Sequence, residues 1–225
     1  MHASQPASSP PTPSLEPGDR LTRAEFERRY EALPNLKKAE LIEGVVYMPS
    51  PVRLSRHGRP HFRLITWLGT YEAATPPAMG ADNATARLDL ANVPQPDVML
   101  LIDPKRGGQA TISADDYVEK GPELVAEVSS SSASFDLHTK LPVYRRNGVR
   151  EYLVWRVLDQ QFDWFIARGG VFEPLQPDAE GIFRSEAFPG LWLDAAALIG
   201  GDMPRVLAVL QQGLASAEHQ RFLQS

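Results

Sequence analysis

Two stretches of this 225-residue chain have the continuous apolar pattern of strands buried on both faces, and each is broken by one carboxylate. Pro96-Asp-Val-Met-Leu-Leu-Ile102 carries Asp97 directly behind a proline, and Glu123-Leu-Val-Ala-Glu-Val-Ser129 carries Glu127 at its fifth position. Apolar runs without alternation belong to sheets covered by helices on both sides. A lone carboxylate in such a strand costs several kcal/mol unless it is neutral, paired or bound to a cation. Two on neighbouring strands need a shared compensation, and a divalent cation supplies one. Magnesium takes one or two carboxylates at about 2.0–2.1 Å and keeps further positions for water and phosphate oxygens. The alternative is that Asp97 caps a strand end beside Pro96 while Glu127 pairs with an arginine such as Arg145. Spacing alone leaves both readings open.

The remaining pattern predicts an α/β chain. Residues 1–18 hold five prolines and almost no large apolar side chains, which predicts a disordered Pro/Ser-rich tail and leaves 19–225 as a single domain. Thr22 and Glu25 have capping-box spacing ahead of Phe26, Tyr30 and Leu33, so a helix is predicted there, stopped by Pro34. Glu40–Met48 reads as one strand bent at Gly44, and 61–74 as a helix with Pro60 at its first turn. Thr85–Leu90 alternates as a half-buried strand, and 103–116 reads as an exposed loop. The serines at 129–134 lead into a helix reaching Asn147, with Gly148 as its C-cap and a strand over Val149–Val157. Strand, helix and strand in that order define a crossover unit. Phe162–Ala167, Val171–Leu175 and Ile182–Ser185 read as a meander, and Met203–Phe222 as a C-terminal helix.

Composition narrows the function classes. The absence of cysteine excludes disulfide scaffolding, thiol catalysis, iron–sulfur clusters and Cys-containing zinc sites. No apolar stretch is long enough for a bilayer and no basic start leads into one, so a cytoplasmic protein is expected. A net charge of −5 argues against a broad nucleic-acid coat but permits a local basic groove. One such cluster exists: Arg53, Arg56, Arg59 and Arg63 with His57 and His61, and no acid between them. It reads equally as phosphate-contacting or as a solvated face. His57 and His61 have zinc-pair spacing, but Pro60 interrupts them and no third ligand is near. Ser129–Ser132 lack a nucleophile elbow and a base partner, so they read as the start of a helix. Asp136, Lys140 and Tyr144 follow at four-residue spacing and can share one helix face. Pro142 requires that helix to begin near Thr139 or to kink.

Four segments in order then carry a resemblance: Glu40-Leu-Ile-Glu-Gly44, Gln95-Pro-Asp-Val98, Leu124-Val-Ala-Glu-Val-Ser129, and Asp136, Lys140 and Tyr144 followed by Asn147-Gly-Val-Arg-Glu-Tyr152. Together they resemble the bacterial Uma-two endonucleases of the PD-(D/E)xK superfamily. The resemblance implies a restriction-endonuclease-like mixed β-sheet flanked by helices, with a strand-helix-strand crossover and a C-terminal helix. It implies a metal-dependent endonuclease hydrolysing phosphodiester bonds of DNA. Asp97 and Glu127 would be metal ligands for Mg²⁺, with Mn²⁺ as substitute, Glu40 the acid completing the site and Lys140 the catalytic cation. The superfamily's simplest pattern has lysine two residues after the glutamate. Ser129 stands there, and Lys140 on the following helix takes the role. Arg56, His57, His61, Ser129 and Tyr144 are the candidate substrate-binding residues. Free strand edges point to a homodimer. The reading from a different class is a catalytically inactive nucleic-acid-binding or regulatory module of the same fold, favoured by Ser129, Pro142 and the acidic balance.

Overall fold

The computed structural model describes residues 12–49 and 51–224. Residues 1–11 of the expected tail lie outside them. Within the remainder of that segment Leu15 is buried against Phe26, Leu41, Val46 and Val93, and Gly18 N donates to Val46 O. The first helix, α1 (Arg23–Glu31), starts at Thr22, whose hydroxyl accepts a hydrogen bond from Glu25 N at 3.4 Å. The single strand expected over 40–48 is a hairpin of β1 (Glu40–Ile42) and β2 (Val45–Tyr47). Glu43 and Gly44 both have positive φ, 53° and 71°. Two successive positive φ values belong to the turn whose twist matches a tight hairpin, so Gly44 reverses the chain instead of bending it.

A π-helical turn over Leu54–Gly58 runs into α2 (Arg59–Ala74). Pro60 lies in its first turn, where a missing N–H breaks no helical bond. Directly after it comes β3 (Ala78–Asp82), which the sequence pattern did not announce. Ala-Met-Gly-Ala-Asp has no β-branched residue, and pairing with its neighbour holds it extended at the sheet edge. The alternating stretch 85–90 shrinks to β4 (Ala86–Arg87), which leads to β5 (Val98–Ile102). The expected loop at 103–116 contains a 3₁₀ turn over Pro104–Arg106, buried Ala110 and β6 (Thr111–Ile112). With β7 (Val118–Glu119), β4 and β6 form a small separate sheet.

The crossover expected from the sequence is present. β8 (Leu124–Ser129) is followed by a π-helical segment over Phe135–Lys140, then α3 (Leu141–Arg146), then β9 (Glu151–Arg156), parallel to β8. Pro142 falls in the first turn of α3, which resolves its conflict with a continuous helix. β10 (Gln161–Arg168) and β11 (Val171–Pro174) form a hairpin that extends the sheet to the order β11-β10-β9-β8-β5-β3. β12 (Ile182–Arg184) leaves the expected meander and pairs with β13 (Trp192–Asp194). The chain closes with α4 (Ala195–Gly200), α5 (Met203–Leu214) and α6 (Ala217–Gln224); the single C-terminal helix expected is thus broken near 215. Gly213 lets α5 press against the Gly190 turn, since a Cβ there would stand 2.2 Å from Gly190 O. No helix among the described residues is long and apolar enough to cross a membrane.

Strand alternation sorts the side chains of the sheet. Val98, Leu100 and Ile102, with Leu124, Ala126 and Val128, join Leu64, Trp67, Leu68 and Tyr71 of α2 in the main core. Val125 and Val154 join Tyr144 and Tyr152 in the core on the crossover side. Asp97 and Glu127 therefore both point away from α2 and toward the crossover side.

Candidate active site

The β5–β8 register, Val98 opposite Ala126, brings Asp97 alongside Glu127. Asp97 Oδ2 accepts the Val128 N–H at 2.8 Å, so the acid is tied to the next strand by a main-chain bond. Glu127 points at the crossover. Its Oε1 receives Lys140 Nζ and the Tyr144 hydroxyl, each at 2.9 Å. The same Lys140 Nζ stands 2.9 Å from Glu40 Oε1, across 100 residues of sequence. Glu40 Oε1 is also held by Gln95 N at 2.7 Å, two residues before Asp97. The hairpin, two sheet strands and the crossover thus meet at one lysine. Glu40, Asp97, Glu127 and Lys140 are all buried.

The charges explain the electrostatics. Burial pushes Glu127 well above the ordinary carboxylate range; Lys140 opposes the rise, while Asp97, Asp136 and Glu40 add to it. Burial would strip the proton from Lys140, yet Glu127, Glu40 and Asp136 hold its affinity well above that of a free lysine. The surrounding acids thus favour the protonated ammonium. Tyr144 is fixed in its protonated, donating form by burial and by Glu127. Asp97 behaves in the opposite sense. Burial would raise it, but the His57 hydrogen bond, the Lys38 charge and the Val128 N–H keep it ionised far below the usual range. The cluster carries more acid than Lys140 balances.

Each residue singled out in the sequence has a definite place. His57 Nε2 lies 3.2 Å from Asp97 Oδ2, and His61 Nε2 lies 3.0 Å from Asp97 O and 3.1 Å from Asp82 Oδ1. Arg56 is exposed on the turn carrying His57. Ser129 faces Ser132 at 3.1 Å, and Ser132 donates to the buried Asp136 at 2.7 Å, so the hydroxyls serve Asp136 at the start of the crossover. Arg145, the alternative partner for Glu127, instead donates to Gly170 O. Lys38, not singled out from sequence, reaches Asp97 Oδ1 at 3.5 Å and Asn83 Oδ1 at 3.1 Å. Its signal was its position two residues before Glu40, the spacing that keeps a side chain on the same side of an extended segment.

Among the described residues no three His, Asp or Glu side chains form a preformed cation cage. The set still fits a hard divalent ion, which binds through one or two carboxylates and completes its shell with water and phosphate oxygen. Asp97 and Glu127 supply those carboxylates, and the acid excess is what a cation would neutralise.

A central mixed sheet flanked by helices, with a strand-helix-strand crossover and C-terminal helices, is the restriction-endonuclease-like architecture. The chain belongs to the Uma2 family, described as "Putative restriction endonuclease", whose model matches residues 23–196. Its fold is shared with a crystal structure of a "putative nuclease belonging to DUF820" from Anabaena variabilis ATCC 29413. That match has a TM-score of 0.55 and 13% identity over 76% of this chain and 97% of the other. No curated protein matches the chain significantly.

Proposed function

We propose that this protein is a divalent-metal-dependent endonuclease that hydrolyses phosphodiester bonds of DNA, working in the cytoplasm as a homodimer. The observation that carries this reading is the Lys140 ammonium held 2.9 Å from both Glu40 and Glu127, with Asp97 on the adjoining strand. Asp97 and Glu127 would hold Mg²⁺ or Mn²⁺, which when bound supplies Lewis acidity and a nucleophilic water at neutral pH. The chain's own groups do the rest. Lys140, whose protonated form the neighbouring acids favour, stabilises negative charge developing on the phosphoryl oxygens. Glu40, anchored by Gln95 N, fixes the lysine from the side opposite Glu127. Tyr144 orients Glu127 by its hydroxyl. One observation favours the noncatalytic module: Lys140 is already engaged by both acids.

Calorimetric titration with Mn²⁺ and Mg²⁺ separates the two without a known substrate. Binding by the wild type that is lost in Asp97→Ala and in Glu127→Ala, with circular dichroism unchanged, supports the metal site. A wild type that binds neither ion, or a variant that binds as well as wild type, puts the noncatalytic reading first. Lys140→Met is expected to retain metal binding and to lose about 10²–10³-fold in cleavage rate, the usual cost of removing one preorganised charge donor.

A further inference from the structure

We propose that residues 51–63, the π-turn and first turn of α2, are the surface on which single-stranded or locally unpaired nucleic acid enters the site. The inference rests on the nuclease reading and goes beyond it by naming the face and the form of the substrate. Several arginines elsewhere bind carboxylates, among them Arg23, Arg87, Arg156 and Arg184, and those that do not, such as Arg20, Arg106 and Arg221, are exposed singly and far apart in the chain. Among the described residues Arg53, Arg56 and Arg59 are exposed and have neither an ion pair nor a side-chain hydrogen bond. No acid lies between them. Three cations left unneutralised on a chain of net charge −5 complement a polyanion, not the protein's own surface.

Position and apolar content refine the partner. Main-chain bonds from His57 N and Gly58 N to Arg53 O close the turn, and His57 from within it reaches Asp97 Oδ2. The free arginines therefore stand at the rim of the acidic site. Of the eight large hydrophobic side chains exposed among the described residues, three are in this segment: Val52, Leu54 and Phe62, 70–75% exposed. Duplex backbone needs only the arginines. Unpaired bases also need a flat apolar surface, which Phe62 offers three residues beyond Arg59. An anionic membrane is the other partner with this combination, but a membrane does not require the patch to adjoin buried carboxylates.

The test is fluorescence anisotropy of the full chain in EDTA, with a labelled thymidine oligonucleotide, a duplex of equal length and phosphatidylserine vesicles. We expect the single strand to bind more tightly than the duplex. The combined variant Arg53→Ala, Arg56→Ala, Arg59→Ala should bind it at least tenfold more weakly, with a salt dependence of log K shallower by about 2, at about 0.7 per lost phosphate contact. Phe62→Ala should weaken single-strand binding by about tenfold and leave duplex binding unchanged. No oligonucleotide binding by wild type, undiminished binding by the folded arginine variant, equal losses on both forms with Phe62→Ala, or arginine-dependent binding of vesicles alone would each overturn the proposal. Because the assay needs neither metal nor cleavage, its failure leaves the calorimetric test of the metal site standing, and failure of that test leaves this one intact.

Discussion

Glu151 and Glu127 lie on adjacent parallel strands and both are buried, yet the protein surrounds them in opposite ways. Glu151 is saturated by fixed neutral donors: Glu186 N and Ala187 N at 2.7 and 2.8 Å on one oxygen, Ser185 Oγ and Trp164 Nε1 at 2.8 and 3.0 Å on the other. Glu123 is held similarly by Ile102 N and Gln109 N. Glu127 meets only a lysine and a tyrosine hydroxyl, with three more carboxylates adding their field. Burial of an acid therefore does not mark a site. A carboxylate whose partners are all neutral donors is a fastener for loops. One whose main partner is a side-chain charge, among other acids, can exchange that partner for a cation.

The largest expected effect breaks the fastener. Glu151→Ala leaves the buried Ser185 hydroxyl and Trp164 Nε1 without an acceptor, at about 1–3 kcal/mol each, and releases the partly buried hydrogen bonds from Glu186 N and Ala187 N, so a loss of about 3 kcal/mol or more in urea unfolding is expected. A loss below about 1 kcal/mol would show that Glu151 does not hold the 185–188 segment. A smaller effect is expected at the site, where Tyr144→Phe removes one hydrogen bond worth about 1 kcal/mol. The smallest is a change in slope. The Glu127 carboxyl has a higher proton affinity folded than unfolded, so the native state binds the extra proton. That contribution is full below the ordinary glutamate value of 4.5 and is lost as pH rises through the folded value. In EDTA the stability of wild type should fall with pH relative to Glu127→Gln, which keeps an acceptor for Lys140 and Tyr144. Parallel stability curves for the two proteins would contradict the acid excess.

The same comparison separates what local sequence encodes from what tertiary contacts supply. Asp97 and Glu127 were legible because each interrupts an apolar run in the middle or at the shoulder of a central strand, where charge has no ordinary reason to be. Glu123 and Glu151 are buried as completely, but they stand at strand starts, where a charge is unremarkable, and nothing local foretold their donors. The central strands were visible for the reason that makes them central: they are apolar throughout. β3, β4, β6 and β7 are short or lack β-branched residues, and tertiary pairing makes them strands. At Glu43–Gly44 one glycine in an apolar run does not distinguish a reversal from a bend. Lys140 could be placed on the crossover helix, but its contact with Glu40 depends on where the hairpin docks, which no local pattern encodes.

The π-helical segment over Phe135–Lys140 has a consequence for chain length. A π-turn holds one residue more than an α-turn, and each residue of an α-helix accounts for about 100° of rotation. Removing any one residue between 135 and 139 would shorten the link from Ser134 and shift Lys140 and Tyr144 together relative to Glu127 on β8. The spacing from Ser134 to Tyr144 is thus as much a part of the site as its side chains, and a deletion there should disable it more thoroughly than a conservative exchange at any single position.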